Sequence, residues 1–146
     1  MKLTEHFSLD ELTASQTATR QGIKNTPSAA VVENLRMLAA LLEQVRELLG
    51  GNSIRISSGY RSLALNRYIG SHDLSAHVRG SAADFTCPAF GKPIEVAKEI
   101  AESNLKFDQL IYEGTWVHIS CDPQNRRQLL TARFEHGHTY YTTGIA

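Results

Sequence analysis

Residues 75–85 read SAHVRGSAADF and mark the point where a glycine- and serine-rich loop enters a predicted strand. His77 stands seven positions ahead of Asp84, and small residues, Gly80 among them, fill most of the interval. One interpretation is a tight turn into the strand, with both polar side chains exposed by chance. The other is a pair of metal ligands, with small residues that allow close approach. The remainder of the sequence has to distinguish these two hypotheses.

Helical periodicity dominates the chain before this stretch. From Pro27 onward, apolar residues recur at three- and four-residue spacing, which predicts a long amphipathic helix that ends at GGN (50–52). FSLDEL (7–12) predicts a short helix capped by its serine, and TATRQGIKNTPSAA (17–30) is interpreted as a surface connection. Two further helices are predicted: LALNRYIG (63–70) and PIEVAKEIAESN (93–104).

Strand-like runs follow the long helix: SIRISSGYRS (53–62), AADFTC (82–87), FDQLIYE (107–113) and WVHIS (116–120). Gly114-Thr115 separates the last two runs and predicts a two-residue hairpin turn, and the tail predicts a final hairpin around Gly137. Helices followed by antiparallel strands predict an α+β fold. We expect N-terminal helices packed on a mainly antiparallel sheet, in a single domain of residues 1–146.

Composition limits the classes of function. The chain has 15 basic and 15 acidic residues, so no global field attracts nucleic acid or acidic lipid. No apolar run approaches the roughly 20 residues of a membrane span, so no membrane insertion is expected. The N-terminus MKLTEHFSLDEL lacks an apolar signal region, and synthesis in the cytoplasm without a signal peptide is expected. Cys87 and Cys121 form no CxxC motif and are expected to be buried free thiols.

Strand alternation gathers polar groups on one face of the predicted sheet. Asp84 and His118 each lie on the polar side of a strand whose other side carries a cysteine. With a two-residue turn between the last two strands, Glu113 pairs with Trp116 and becomes a diagonal neighbour of His118 on the same face. A carboxylate beside a histidine, facing Asp84 and His77, predicts a zinc site, because zinc accepts imidazole nitrogen and carboxylate oxygen.

Each of these residues also has a purely structural interpretation. Histidine and carboxylate side chains on a sheet face are usually exposed to solvent. Arg61, taken alone, is more often a surface or capping residue, and Trp116 is more often a packing residue. No metal partner is identifiable for the other histidines, His6, His72, His136 and His138.

The motifs SSGYRS (57–62), SAHVRGSAADF and WVHIS, with Asn66 after the first, resemble those of the M15 family of zinc peptidases. They occur in the order and rough spacing of that family's D-Ala-D-Ala carboxypeptidase and phage-lysin branch. The likeness covers nearly the whole chain, and the SxHxxGxAxD block with a later WxH makes it specific. The resemblance implies a hedgehog/DD-peptidase-like fold with one zinc ion per chain. The residues it implies for the site are His77, Asp84 and His118 as zinc ligands and Arg61 beside the substrate.

The resemblance also implies that an acidic residue shortly before the last ligand is the general base. In several relatives it stands three positions before the final histidine, where this chain has Thr115. Many relatives have a histidine at the place of Trp116. The hairpin argument assigns the base to Glu113, five positions before His118, while alternation places Asp108 on the opposite face.

The implied function is zinc-dependent hydrolysis of peptidoglycan stem peptides, as a D-Ala-D-Ala carboxypeptidase or an L-Ala-D-Glu-type endopeptidase. Glu113 and Arg61 are the predicted catalytic residues, and Arg61, Ser75 and Trp116 are expected to contact substrate. A monomeric phage or prophage lysin, released to the cell wall by a partner holin, would suit a chain without a signal peptide. The alternative is a catalytically silent, zinc-containing module for cell-wall binding or phage assembly, which a peptide hydrolysis assay would distinguish.

Overall fold

A computed structural model describes residues 1–146 as five helices and six strands. The helices are α1 (Leu9–Thr13), α2 (Gln16–Gln21), α3 (Ala29–Leu48), α4 (Leu63–Tyr68) and α5 (Pro93–Ala101). The strands are β1 (Arg55–Ser58), β2 (Ala82–Thr86), β3 (Gln109–Tyr112), β4 (Val117–Ser120), β5 (Gln128–Glu135) and β6 (His138–Thr143). None of the helices is both long enough and apolar enough to span a membrane.

The six strands form one sheet in the order β1-β2-β4-β3-β5-β6. Every neighbouring pair is antiparallel except β3 and β5, which run parallel. The predicted α+β fold with a mainly antiparallel sheet is therefore confirmed. The two-residue turn is present as well, because the Glu113 N–H donates to the Trp116 carbonyl (3.0 Å) and Ile111 lies opposite His118.

The hydrophobic core lies between the helices and one face of the sheet. Helix α3 contributes an apolar stripe at helical spacing, consisting of Leu35, Leu38, Leu42 and Val45. The facing sheet residues are those predicted from alternation, including Ala83, Phe85, Val117 and Ile119. Because one face of the sheet packs against the core, the side chains of the opposite face can form a functional site.

Gly80 explains the small residues of the SAHVRGSAADF segment. It adopts a positive φ of 74°, and a Cβ placed there would lie 2.8 Å from Cγ1 of Val31 on α3. The loop therefore turns tightly against the long helix before it enters β2, and only glycine meets both requirements. Ala82 and Ala83 continue this close packing, and both are fully buried.

Two sequence interpretations of local structure were wrong. The segment 17–30 was interpreted as a surface connection, but it contains most of α2, which the Ser15 hydroxyl caps and which Gly22 ends at φ 65°. Cys87 is buried as predicted, whereas Cys121 is only partly buried, because it follows the last residue of β4 and no longer alternates with it. Both thiols are free, as expected.

Candidate metal centre

Three buried side chains converge on the polar face of the sheet. His77 comes from the loop before β2, Asp84 from the middle of β2, and His118 from β4, directly opposite Asp84 in the strand register. Asp84 Oδ1 lies 3.2 Å from His77 Nε2 and 2.9 Å from His118 Nδ1. One ligand atom from each residue lies within 4.8 Å of the others. The structure therefore brings together the three predicted ligands.

The orientation of His77 is fixed by the backbone of the segment that follows β1. The His77 Nδ1–H donates to the Gly59 carbonyl oxygen at 2.7 Å, and the Arg61 N–H donates to the His77 carbonyl oxygen at 3.1 Å. Ser75 Oγ accepts a hydrogen bond from the His77 N–H (3.3 Å). These contacts fix the tautomer and direct Nε2 toward Asp84, which is the usual arrangement for a metal-binding histidine.

The protonation states of the cluster suit a metal ion. Burial by itself would raise the pKa of the Asp84 carboxyl, but the close contacts with His118 and His77 outweigh it and hold that pKa well below its usual range. Burial lowers the pKa of the His77 imidazole below its ordinary value. Near neutral pH the centre thus presents a carboxylate and a neutral imidazole, the forms that bind metals.

The donor set fits zinc. Two imidazole nitrogens and one carboxylate oxygen are ligands that zinc accepts, and three protein ligands leave a fourth position open, as in catalytic zinc sites. Donors about 2.1 Å from a tetrahedral ion lie roughly 3.4 Å from one another. The observed separations of 2.9 and 3.2 Å are slightly shorter, so only small side-chain movements would be needed.

Arg61 lies beside the cluster and is held by three neighbours. Its Nε donates to Ser58 Oγ (3.1 Å), its Nη1 donates to Asn66 Oδ1 (3.0 Å), and its Nη2 lies 3.6 Å from Asp84 Oδ2. Asn66 is fully buried and donates in turn to the His72 carbonyl (2.8 Å). Arg61 is therefore a fixed positive charge next to Asp84, and part of its donor set is already used within the protein.

Glu113 and Trp116 form the turn end of the β3–β4 hairpin. The Trp116 Nε1–H donates to Glu113 Oε2 at 2.8 Å, which leaves Oε1 without a protein partner. Burial raises the pKa of the Glu113 carboxyl, and the negative charge of Asp84 raises it further against the opposing effect of His118. A raised pKa makes this carboxyl a better proton acceptor than an ordinary exposed glutamate.

Two cavities meet at this centre and share Arg61, Asp84 and Trp116. The loop-side cavity, about 460 Å³, is bounded by the 71–79 loop and the β3–β4 hairpin, and its lining includes Ser75, His77, Glu113, His118 and Tyr141. The helix-side cavity, about 710 Å³, is bounded by α2, β1 and α4, and its lining includes Thr17, Arg20, Ser57, Tyr60 and Leu65. The metal-ligand cluster therefore lies where the two cavities join.

One prediction about a residue beside the centre is wrong. Asp108 was placed on the opposite face, but it precedes β3, lines the loop-side cavity, and accepts hydrogen bonds from Arg126 Nε (2.9 Å) and Nη2 (2.8 Å). Thr115, three positions before His118, is exposed at the turn and lines neither cavity.

Gly59, Asn66 and Tyr141 contribute to the centre, and sequence reasoning gave none of them a role. A signal existed for the first two, since both belong to the motif set around Arg61. Their function nevertheless depends on contacts with residues 77 and 72, which are distant in sequence. Tyr141 carried no signal, because it lies in the last strand and reaches the cavity only through the order of strands in the sheet.

Comparison with known proteins agrees with this geometry. No curated protein matches the chain closely enough to count as a relative. The family model described as Peptidase M15 matches residues 5–120, which include the whole His77–Asp84–His118 cluster, Arg61 and Glu113. The match covers well over half of the chain, and it ends at the last residue of β4. The protein therefore belongs to the M15 peptidase family.

Proposed function

We propose that this protein is a zinc-dependent peptidase that hydrolyses peptide bonds in the stem peptides of peptidoglycan. The observation that carries the proposal is the buried His77–Asp84–His118 cluster at the junction of two cavities, with the Glu113 carboxylate on the same sheet face. Membership of the M15 family supports the peptidase activity. The substrate class rests on the resemblance of the motifs to those of peptidoglycan-cleaving members.

His77, Asp84 and His118 would hold the zinc ion. Zinc in such a site supplies Lewis-acid polarisation of a carbonyl group and lowers the pKa of a water molecule. The protein contributes the arrangement of ligands, because the Gly59 carbonyl fixes the His77 ring and the β2–β4 register fixes Asp84 opposite His118. The loop-side cavity gives a peptide access to this arrangement.

Glu113 is the proposed general base and acid. Its Oε2 is held by the Trp116 indole N–H, so Oε1 is available to take a proton from the attacking water. As the water oxygen bonds to the carbonyl carbon and the C–N bond breaks, the same carboxyl delivers that proton to the leaving amine nitrogen. The raised pKa of Glu113 brings proton uptake and release closer to neutral pH.

Arg61, Trp116 and Ser75 are proposed to position the substrate. Arg61 places a guanidinium beside Asp84, where its charge would stabilise negative charge that develops on the scissile carbonyl oxygen. Trp116 lines both cavities, so its side chain would contact a peptide that crosses from one to the other. Ser75 lines the loop-side cavity and also supports the His77 turn.

The shape of the site favours cleavage within a peptide over removal of a terminal residue. An endopeptidase must bind substrate on both sides of the scissile bond, and here two cavities meet at Asp84, Arg61 and Trp116. Between the two activities implied by the motifs, we therefore favour the L-Ala-D-Glu type.

Access to the wall is a separate part of the proposal. Peptidoglycan lies outside the cytoplasmic membrane, so the activity requires a route to it. We favour holin-dependent release of a monomeric phage or prophage lysin, on the strength of the motif resemblance. Detection of the protein in the wall fraction only when a holin is co-expressed would support this route, and wall localisation without a holin would contradict it.

The experiment uses zinc-loaded protein and purified peptidoglycan, with metal content measured by mass spectrometry and the released muropeptides identified by the same method. We expect one zinc per chain and a new amino or carboxyl terminus within the stem peptide. Glu113→Gln should retain zinc and hydrolyse at least ~100-fold more slowly, because it cannot take up the proton. Glu135→Gln, a change in an exposed carboxylate that lines neither cavity, should hydrolyse normally.

Three outcomes would each contradict a part of the proposal. Zinc-loaded protein that binds peptidoglycan without cleaving it would indicate a catalytically silent wall-binding module. Cleavage that releases only the terminal D-alanine would support the peptidase activity but overturn the preference for an endopeptidase. Near-normal turnover of Glu113→Gln would transfer the proton role to another group.

A further inference from the structure

The C-terminal hairpin lies outside the part of the chain that matches the M15 family. The match ends at residue 120, whereas β5 and β6 follow it and extend the sheet beside β3. Strand β5 pairs in parallel with β3, and β6 pairs in antiparallel fashion with β5. The hairpin therefore adds two strands to the edge of the sheet that is nearest Glu113.

The strand register places Tyr141 in the same row as Glu113. In the parallel β3–β5 pair, Tyr112 lies opposite Thr131, so Glu113 lies beside Ala132, the next residue of β5. In the antiparallel β5–β6 pair, Ala132 lies opposite Tyr141. Two strand spacings of about 4.8 Å separate Glu113 from Tyr141. The residue between them is alanine, so the tyrosine ring can lean across it, and Tyr141 lines the loop-side cavity together with Glu113.

The Tyr141 hydroxyl is available as a hydrogen-bond donor. It has no protein partner, and the residue is 51% exposed. Burial of part of the ring raises the pKa of the phenol, and the negative charges of Glu113 and Asp84 raise it further, so the hydroxyl stays protonated. Tyr140 is similarly exposed at 46%, but it points to the other face and donates to Glu135 Oε2 (3.2 Å).

We infer that Tyr141 is a substrate-contacting residue that the C-terminal hairpin adds to the family's site. Its hydroxyl donates to a carbonyl or carboxylate oxygen of a peptide in the loop-side cavity, and its ring forms the cavity wall over Ala132. An acceptor oxygen is the matching chemistry, because Tyr141 lines the cavity with a phenolic O–H that no protein group accepts. This inference rests on the proposed function, since it assumes that a peptide occupies this cavity.

The test compares Tyr141→Phe and Tyr141→Ala with the matched control Tyr140→Phe in the zinc-loaded full chain. The kinetic readout is kcat and KM on a synthetic stem peptide that contains L-Ala-D-Glu and D-Ala-D-Ala bonds. The binding readout is calorimetric titration of the same peptide into Glu113→Gln, with and without Tyr141→Phe. Zinc content and Tm are measured for every variant.

We expect Tyr141→Phe to lower kcat/KM by ~10- to 100-fold, the loss typical of a hydrogen bond to a charged or developing oxyanion. Tyr141→Ala should lose more, and Tyr140→Phe should stay within about twofold of the parent protein. Wild-type kcat/KM in Tyr141→Phe, with zinc and Tm unchanged, would overturn the inference.

The binding readout separates this inference from the proposed function. If the parent protein binds the peptide but does not cleave it, the proposed activity fails, while weaker binding caused by Tyr141→Phe would still support the contact. Equal binding with and without the substitution, together with unchanged kinetics, would overturn the contact alone. Absence of any binding or cleavage would overturn both.

Discussion

Gly59 connects the packing of the N-terminal segment to the metal centre, and replacing it with alanine should weaken both. Its φ is ordinary, so the need for glycine arises from close approach. A Cβ at residue 59 would lie 3.0 Å from the carbonyl carbon of Leu12 and closer still to its oxygen. Non-bonded carbon atoms prefer about 3.5–4.0 Å, so the two backbones must separate by at least about 0.5 Å.

That separation should affect two hydrogen bonds at once. The Tyr60 N–H donates to the Leu12 carbonyl at 2.7 Å, and the Gly59 carbonyl accepts from His77 Nδ1 at 2.7 Å. We expect overpacking to reduce the free energy of unfolding of the metal-free protein by about 1–3 kcal/mol. Loss of the bond that orients His77 should reduce zinc affinity by about 10- to 100-fold.

The assay measures both quantities in the same protein. Chelator competition gives the zinc Kd, and denaturant unfolding with and without saturating zinc gives the free energy of unfolding. A 10- to 100-fold loss of affinity should make the stability loss larger by about 1.4–2.7 kcal/mol in the zinc-loaded protein than in the metal-free protein. The matched control is Gly91→Ala, where the Cβ would contact the Glu95 side chain and the residue lines neither cavity.

One result would refute this reasoning. If Gly59→Ala destabilises the metal-free and zinc-loaded protein equally, its zinc Kd is unchanged and His77 does not depend on the Gly59 carbonyl. A variant with unchanged stability would also show that the backbones of Gly59 and Leu12 are not in close contact.

Three further predictions follow from the site and the packing around it. Trp116→Phe removes a hydrogen bond that lowers the pKa of Glu113, so the acid limb of the pH profile of kcat/KM should move to higher pH. An acid limb at the same pH as in the parent protein would argue against Glu113 as the base. Gly80→Ala should lower the free energy of unfolding by about 1–3 kcal/mol, because φ is 74° and the new Cβ meets α3; a denaturant midpoint equal to that of the parent would contradict this. Thiol titration under non-reducing conditions should find two free thiols in the unfolded protein. In the folded protein the Cys121 thiol should react slowly, because burial raises its pKa, and the buried Cys87 thiol should not react. Recovery of fewer than two thiols after unfolding would contradict the last prediction.

Much of the fold could be predicted because its signals are local. The 3.6-residue period of α3 and the alternation in β2 and β4 depend only on neighbouring residues, and the structure has these elements where the sequence indicated them. The turn at Gly114-Thr115 then fixed the β3–β4 register and put Glu113 on the face of His118. Helix α2 was missed because its signals, a capping serine and a terminal glycine, flank a segment rich in threonine.

The sequence by itself thus determined the α+β class, the strand faces and the candidate ligand set, because periodicity and turn chemistry act over a few residues. Only the tertiary structure decided which groups surround those ligands. The Gly59 carbonyl reaches His77 across 18 positions, and Tyr141 reaches the cavity of Glu113 through two added strands. Such contacts arise from strand order and from the packing of segments against α3, and no local pattern encodes the distance between residues that are remote in the chain.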